Sequence, residues 1–505
     1  MRSKSAKINL VTNLILQILT LMFGLLLPQR IIKFYGSDFN GLISSIRTVI
    51  SSFGIVEAGV TLVVLASLYS PIKSGNRKLV NNILSSAKRS FKRSAFIYLP
   101  LLLFLIIIYS FLSETIHNRF QIAILILAIG ISTFWDLLIG AKYSVLIRGH
   151  NKEYIVSLIQ IFVTMINLFI VFVLFNGKIS LIVSFSALSL SYFLRPALLY
   201  IYVKNRYDYN YDTINNNFKL SQQKSSFVHQ IANIIFVNTD IVLITIFFSF
   251  EMVSVYSVYM IVFLGITRIL SIFTSGLQPG FGQLISEKNV PKLNKTYSAY
   301  EFIYYNLAGI VYVTCLLTIS EFIDIYIGNS ANINYQFFSL ALMLVIAEFL
   351  SKIRIPANTL VIAGGYFDKT KNSAIIEVIL NLILSFVGII IFGFYGVILG
   401  TIVSMLYRVI YFSYFVSKNI IHRNARFTLI KIFRTVVISI IAYFTANSIF
   451  KFNVNSIISW LIFASLNFTL ASLIYMIFNF IFDRNETILN IKYIIKILGI
   501  KMKRI

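Results

Sequence analysis

The sequence is poor in the residues on which soluble enzymes and disulfide-bonded domains depend. Only 12% of its 505 residues are charged and only 18 are acidic, whereas about a quarter of an ordinary soluble domain is charged. The single cysteine, Cys315, excludes an intramolecular disulfide. Four scattered histidines (His117, His150, His229 and His422) lack metal-ligand spacing, and neither a P-loop nor a G-x-S-x-G motif occurs. We therefore expect no catalytic residues, no metal site and no bound cofactor, which excludes a soluble enzyme and a disulfide scaffold.

Apolar residues are abundant instead. They make up 58% of the chain, and the mean hydropathy is +0.84, which also excludes a disordered chain. A membrane-spanning helix needs about 20 apolar residues, and apolar runs bounded by polar breaks predict fourteen such helices. Their predicted spans are 9–34, 40–70, 94–113, 120–147, 154–176, 179–203, 226–249, 252–285, 298–319, 335–363, 374–393, 395–417, 431–450 and 456–481. The sequence therefore predicts an all-α polytopic membrane protein.

The 44 basic residues, which give a net charge of +26, are distributed unevenly over these spans. With the N-terminus placed inside and sides alternating, 33 of them fall in inside segments, five in outside connections and six within spans. Basic residues concentrate on the cytoplasmic side of membrane proteins, so both termini are predicted to be cytoplasmic and nucleic acid is not needed to explain the charge. The outside residues are Arg30, Lys33, Arg119, Lys178 and Lys451; those within spans are Arg47, Arg195, Arg268, Lys352, Arg354 and Arg408.

An internal repeat with an offset of about 214 residues divides the first twelve spans into two halves. Tight outside turns at 35–40 and 249–253 correspond, and Arg195 and Arg408 differ by 213. Each half has six spans, which indicates a parallel repeat around an axis along the membrane normal. The predicted organisation is a first lobe at 1–205, a cytoplasmic linker at 206–225, a second lobe at 226–419, two further spans at 420–482 and a basic amphipathic tail at 483–505.

Ionisable residues inside the spans are the candidate functional groups, because a charge in the bilayer is costly unless it is paired or hydrated. Arg47 and Glu57 lie ten residues apart, nearly three helical turns, so a continuous helix would present them on one side. Ser44, Thr48 and Ser51 share that side, which predicts a polar stripe facing a cavity. The alternative is a buried ion pair with another helix.

Three more residues complete the candidate site. Arg268 is the approximate counterpart of Arg47, and two facing arginines would form a cationic cavity suited to phosphate oxygens. Arg30 would lie at the outer mouth; the alternative for each arginine is snorkelling or a salt bridge. Asp240, flanked by Asn and Thr, could bind a cation or a proton, or could pair with an arginine of the other lobe. Glu348 and Lys352 have the spacing of a helical ion pair.

Three segments carry a resemblance to a known family: residues 34–42 (FYGSDFNGL), 53–60 (FGIVEAGV) and 238–243 (NTDIVL). With them the chain resembles the Wzx-type polysaccharide flippases of the MOP exporter superfamily, which also contains the lipid II flippase MurJ and the MATE exporters. The resemblance implies two six-helix lobes in a V around a cationic cavity, followed here by two extra helices. Arg47, Glu57 and Asp240 match positions of interest in that family.

The function implied by this resemblance is flipping of undecaprenyl-diphosphate-linked oligosaccharide units across the bacterial cytoplasmic membrane by alternating access. Expected partners are membrane lipids, a polysaccharide polymerase and a chain-length regulator, but not nucleic acid; Glu57 or Asp240 would couple transport to H⁺ or Na⁺. The alternatives are a MATE-like exporter, which should have an acidic cavity, or a flippase for another lipid-linked precursor. Short outside loops, the longest at 320–335, argue against a membrane glycosyltransferase or polymerase, and a scaffold remains a further alternative.

Overall fold

A computed structural model describes residues 2–57, 60–112, 118–211, 224–275, 277–328, 331–450, 452–482, 484 and 486–489. Most of the predicted linker (206–225) and almost all of the predicted tail (483–505) lie outside these residues. The described chain consists of helices and connecting turns, without strands. The helices are α1 (Arg2–Tyr35), α2 (Ser37–Ser52), α3 (Val60–Ser74), α4 (Arg77–Leu112), α5 (Arg119–Trp135), α6 (Ala141–Gly149), α7 (Glu153–Leu174), α8 (Leu181–Arg206), α9 (Lys224–Phe247), α10 (Phe250–Ser275), α11 (Gln278–Ser286), α12 (Val290–Ile327), α13 (Phe338–Ile353), α14 (Ile355–Ala363), α15 (Phe367–Phe392), α16 (Phe394–Asn419), α17 (Ala425–Ile449) and α18 (Ile457–Phe482).

The all-α membrane fold is confirmed, with a difference of one in the count of spans. Thirteen helical stretches within the described residues are long and apolar enough to cross a membrane, where the sequence predicts fourteen. The predicted span at 335–363 is the exception, because the helix is interrupted at Arg354 and neither α13 nor α14 reaches the length of a span. Pro356 lies in the first turn of α14, where a proline is tolerated but cannot continue a preceding helix.

Other predicted spans are also interrupted. The span predicted at 40–70 consists of α2, a 3₁₀ turn at Phe53–Val56, and α3. The span predicted at 252–285 consists of α10 and α11. A π-helical segment, Asp136–Gly140, joins α5 to α6. Discontinuous helices of this kind are common at the binding sites of transporters, and π-helical segments occur frequently at functional sites.

The boundaries of the helices confirm the internal repeat. Five of the eight corresponding pairs of helices begin 213 or 214 residues apart. The five pairs of first residues are Ser37 and Phe250, Arg77 and Val290, Ala141 and Ile355, Glu153 and Phe367, and Leu181 and Phe394. Because most helices repeat at the offset seen in the sequence, the two halves are two copies of one helical pattern.

The chain forms two compact units. The first contains Met1–Ser257 and Ser330–Ile333, and the second contains Val258–Asn329 and Asn334–Ile505. In the first unit, α9 packs against α2. In the second, α12 packs against α13, α17 and α18. Compact units and sequence repeats are different properties, so the lobes predicted at 1–205 and 226–419 stay a prediction.

A buried carboxylate attaches the two extra helices, α17 and α18, to the rest of the second unit. Glu301 of α12 is fully buried. Its carboxylate lies 2.8 Å from Nη2 of Arg423 and 3.8 Å from Nζ of Lys431, and Thr428 donates a hydrogen bond to it at 2.7 Å. Lys431 also pairs with Glu486 at 2.7 Å. The start of α17 is therefore tied to α12 by charge as well as by packing.

Glycines allow α15 and α16 to pack backbone to backbone. A Cβ atom on Gly396 would lie 2.0 Å from the carbonyl carbon and oxygen of Gly388, and a Cβ on Gly400 would lie 2.3 Å from the backbone nitrogen of Ser385. Side-chain hydroxyls support the same contact, since Ser385 donates to the carbonyl of Val397 at 2.9 Å. Small residues at such positions let membrane helices approach closely.

Alanine at position 396 is therefore expected to destabilise the second unit. The added methyl group would force α15 and α16 apart, and overpacking of this kind costs roughly 1–3 kcal/mol. The matched control is Gly24→Ala in α1, where a Cβ atom would have no neighbour within 4 Å and alanine favours the helix. Thermal unfolding of the purified protein in detergent measures both. Equal melting temperatures for Gly396→Ala and the wild-type protein would show that the close contact is unimportant.

Candidate functional site

A cavity of about 330 Å³ lies inside the first unit, between α1, α2, α5 and α8. Arg47 of α2 lines it and is the only ionisable residue among its described lining residues apart from Tyr192. The other lining groups are aromatic rings, hydroxyls and aliphatic side chains. Its aromatic and hydroxyl-bearing residues are Phe23, Ser51, Ser132, Thr133, Phe185, Ser189 and Tyr192.

The guanidinium of Arg47 lies 5.8 Å from the centre of the Phe185 ring and interacts electrostatically with the phenol of Tyr192. No carboxylate forms an ion pair with Arg47 among the described residues. A cation on a membrane helix is normally paired or exposed to water, and a guanidinium is suited to carboxylate and phosphate oxygens. The cavity is therefore suited to a ligand that brings a negative charge.

The continuous α-helix predicted to carry both Arg47 and Glu57 is not observed. α2 ends at Ser52, and a 3₁₀ turn at Phe53–Val56 follows before Glu57. Glu57 is not among the described lining residues of the cavity. Ser51 does share the cavity with Arg47, as the predicted polar stripe requires.

Glu57 lies instead at the interruption between α2 and α3. Thr61 donates a hydrogen bond to its carboxylate, which also interacts electrostatically with Asp136, Arg195 and Arg148. Asp136 opens the π-helical segment and forms an ion pair with Arg195 of α8. Two carboxylates and an arginine thus meet at two helix interruptions of the first unit.

The polar residues of α2 form a ladder of hydrogen bonds with α9 and the first residues of α10. Ser45 shares a hydrogen bond of 2.5 Å with Thr245, and Ser51 donates to Asn238 at 3.1 Å. Asn40 donates to Ser254 at 2.7 Å; these two positions differ by 214, the offset of the repeat.

Asp240 lies on α9 near this ladder and is buried. Tyr256 of α10 donates a hydrogen bond to its carboxylate at 2.9 Å. The sequence left open a bound cation, a proton or an arginine as its partner, and the tyrosine hydroxyl is a partner that the sequence did not suggest.

The remaining candidates lie elsewhere. Arg268 is a half-buried residue of α10 in the second unit, so its predicted meeting with Arg47 stays a prediction. Arg30 is not among the lining residues of the cavity; its guanidinium lies against the rings of Phe34 and Phe172. The predicted pair of Glu348 and Lys352 is confirmed, at 3.0 Å.

Sequence reasoning missed a second charged cluster, in the second unit. Glu377 accepts from Arg354 at 2.6 Å and pairs with Arg408 at 3.2 Å. The repeat supplied a signal for it, since Arg408 is the counterpart of Arg195, which also pairs with a carboxylate.

The cavity-lining Phe185, Ser189 and Tyr192 recur at helical spacing on α8, a pattern that could have identified them. Among the described residues, no group of three His, Cys, Asp or Glu side chains could hold a metal ion.

Comparison with solved structures identifies the fold. The lipid II flippase MurJ in an inward-closed conformation superposes with a TM-score of 0.66 at 15% identity, covering 94% of this chain and 99% of that one. A multidrug resistance MATE family transporter of the MOP superfamily, inward-facing, gives 0.64 at 14% identity, covering 79% and 95%. No family model and no curated protein matches the sequence. The chain therefore has the fold that MurJ and the MATE transporters of the MOP superfamily share.

Proposed function

We propose that this protein is a flippase that moves undecaprenyl-diphosphate-linked oligosaccharide units from the cytoplasmic to the outer face of the bacterial cytoplasmic membrane. The observation that carries the proposal is Arg47, a cation without a carboxylate partner among the described residues, in an intramembrane cavity. The fold is that of a lipid II flippase. The diphosphate of a lipid-linked substrate would supply the negative charge that Arg47 has no carboxylate to provide. The product would supply a surface polysaccharide such as an O-antigen or a capsule.

Each part of the site has a place in this function. The anionic part of the substrate binds Arg47, and the hydroxyls of Ser51, Ser132 and Thr133 offer hydrogen bonds to sugar hydroxyls. Arg268 would add a second cation, while the isoprenoid chain stays in lipid. Glu57 or Asp240 would couple the transition between inward- and outward-open states to H⁺ or Na⁺. A polymerase and its chain-length regulator would then take up the exported unit.

A MATE-like exporter of small molecules is the alternative with a compatible fold. An exporter of organic cations is expected to hold them with carboxylates, since opposite charges attract. The cavity of the first unit has an arginine and no acidic residue among its described lining, which favours an anionic substrate. Increased drug sensitivity on gene disruption, with intact surface polysaccharide, would support the exporter instead.

The direct test is translocation by the purified protein in proteoliposomes. A fluorescent undecaprenyl-diphosphate-linked oligosaccharide is incorporated into one leaflet of the liposome membrane. Its appearance in the opposite leaflet is followed with a membrane-impermeant quencher. We expect translocation well above that of protein-free liposomes. A cationic dye loaded into the same vesicles serves as the control substrate, and we expect it to stay inside. Transport of the dye without transport of the lipid would contradict the flippase proposal and support an exporter.

A further inference from the structure

Three basic residues converge at the end of α1 that the charge distribution places outside. Arg30, Lys33 and Lys178 are three of the five basic residues that this topology assigns to the outer side. The Arg30 guanidinium lies 5.7 Å and the Lys33 ammonium 5.5 Å from the centre of the Phe34 ring. Outside connections of membrane proteins are normally poor in basic residues, so the presence of three of them near one end of α1 needs an explanation.

The turn between α7 and α8 places Gly177, the residue before Lys178, against this ring. Gly177 adopts a φ of +80°, and a Cβ atom there would lie 3.2 Å from the Phe34 ring. The side chain of Asn176 accepts a hydrogen bond of 2.9 Å from the backbone N–H of Lys178, which closes an Asx turn. Lys178 is therefore held beside the end of α1 by local structure and is exposed.

No carboxylate forms an ion pair with any of the three cations in the part of the chain that the structure describes. Like charges on one surface repel each other, although water and salt weaken the effect. An anion bound between them would remove this repulsion and would gain from all three charges at once. The cluster thus has the charge of an anion-binding surface.

The cluster lies at one end of an exposed apolar row on α7. Phe162, Met165, Phe169 and Phe172 follow one another at spacings of three and four residues, which places them on one face of the helix. Their exposed fractions lie between 53% and 68%. From the first to the last the row extends about 15 Å, roughly half of the hydrocarbon thickness of a bilayer. The guanidinium of Arg30 lies 5.0 Å from the centre of the Phe172 ring, so Arg30 connects the basic residues to the row.

We propose that this surface is an outer docking site for the diphosphate of a polyprenyl lipid. Arg30, Lys33 and Lys178 hold the diphosphate, and the row from Phe162 to Phe172 contacts the isoprenoid chain in the outer leaflet. A diphosphate diester carries two negative charges and an ordinary anionic phospholipid carries one, so three cations match the diphosphate better. The proposal rests on the flippase function, because the site would receive the carrier lipid after translocation.

Binding of undecaprenyl diphosphate without an attached sugar tests this site apart from transport. The purified protein in detergent is titrated with the lipid, and the bound fraction is measured by native mass spectrometry. The triple variant Arg30→Ala, Lys33→Ala, Lys178→Ala is expected to bind at least tenfold more weakly. The matched control is Arg119→Ala, an exposed outside arginine whose guanidinium lies 5.6 Å from the Phe111 ring; its affinity is expected to equal that of the wild-type protein.

Each remaining outcome is decisive. Unchanged affinity in the triple variant overturns the proposal, and so does equal competition by phosphatidylglycerol, which would assign the cluster to bulk anionic lipid. Lys33 and Lys178 are exposed, so the double variant that replaces only these two keeps the fold; about a threefold loss is expected, and no loss would count against the site. A protein that binds the lipid but does not translocate oligosaccharide contradicts the flippase function, not the binding site.

Discussion

Replacing Arg47 by alanine is expected to slow translocation of the lipid-linked oligosaccharide by about ten- to a hundredfold. A hydrogen bond to a charged group contributes about 1.5–3 kcal/mol, and Arg47 is the cation of the cavity in the first unit. The proteoliposome assay gives the rate. Arg47→Lys keeps the charge but loses the planar fork that binds two oxygens, so an intermediate rate is expected.

Arg47→Ala should leave the fold intact, which separates a role of Arg47 in transport from a structural role. Arg47 has no ion pair within the described residues, so alanine leaves no carboxylate unpaired. Arg195→Ala is the contrasting control, because it would leave Asp136 without its ion-pair partner. We expect the melting temperature to fall for Arg195→Ala and to stay constant for Arg47→Ala. An Arg47→Ala protein that translocates at the wild-type rate would refute the role of the cavity.

The order and approximate positions of the membrane-spanning segments could be predicted from the sequence because apolar runs of membrane length are a strong signal. The interruptions could be inferred only where a proline marks them, as at Pro279 and Pro356. A single charged residue such as Glu57 or Arg354 does not end a long apolar run, so the runs appear continuous. The repeat offset was visible because polar turns recur with it, and the starts of α2 and α10 confirm it.

The site could be predicted only in part. A cavity beside Arg47 follows from the cost of placing a charge on a membrane helix. The partners of the other charges could not be inferred, because they come from distant parts of the chain. Asp136 and Arg195 are 59 residues apart, and Glu301 and Arg423 are 122 apart. Helical spacing relates only residues of one helix, so such pairs become visible only once the helices are packed.

Removing the buried charge of Glu301 is expected to have the largest effect on stability. Glu301→Gln would leave the guanidinium of Arg423 in a buried site without its carboxylate, and Lys431 with Glu486 as its remaining ion-pair partner. Removing one partner of a buried ion pair costs about 3–5 kcal/mol. We expect a strong fall in the melting temperature of the purified protein, or a loss of the folded species in size-exclusion chromatography. The control is Glu486→Gln, since Glu486 is more exposed than Glu301 and pairs with Lys431; a smaller fall is expected.

The cause can be assigned by removing the charges together. In the triple variant Glu301→Leu, Arg423→Met, Lys431→Met, the buried charges of the cluster are all removed, and apolar side chains of similar length fill the site; only the more exposed Glu486 loses its contact with Lys431. Replacement of a whole buried ion cluster by apolar groups is often neutral or stabilising, so the triple variant should melt above Glu301→Gln. If both melt equally low, the specific hydrogen bonds of Thr428 and Arg423, not the balance of charge, hold α17 against α12. If Glu301→Gln melts like the wild-type protein, the cluster does not stabilise the attachment of the extra helices.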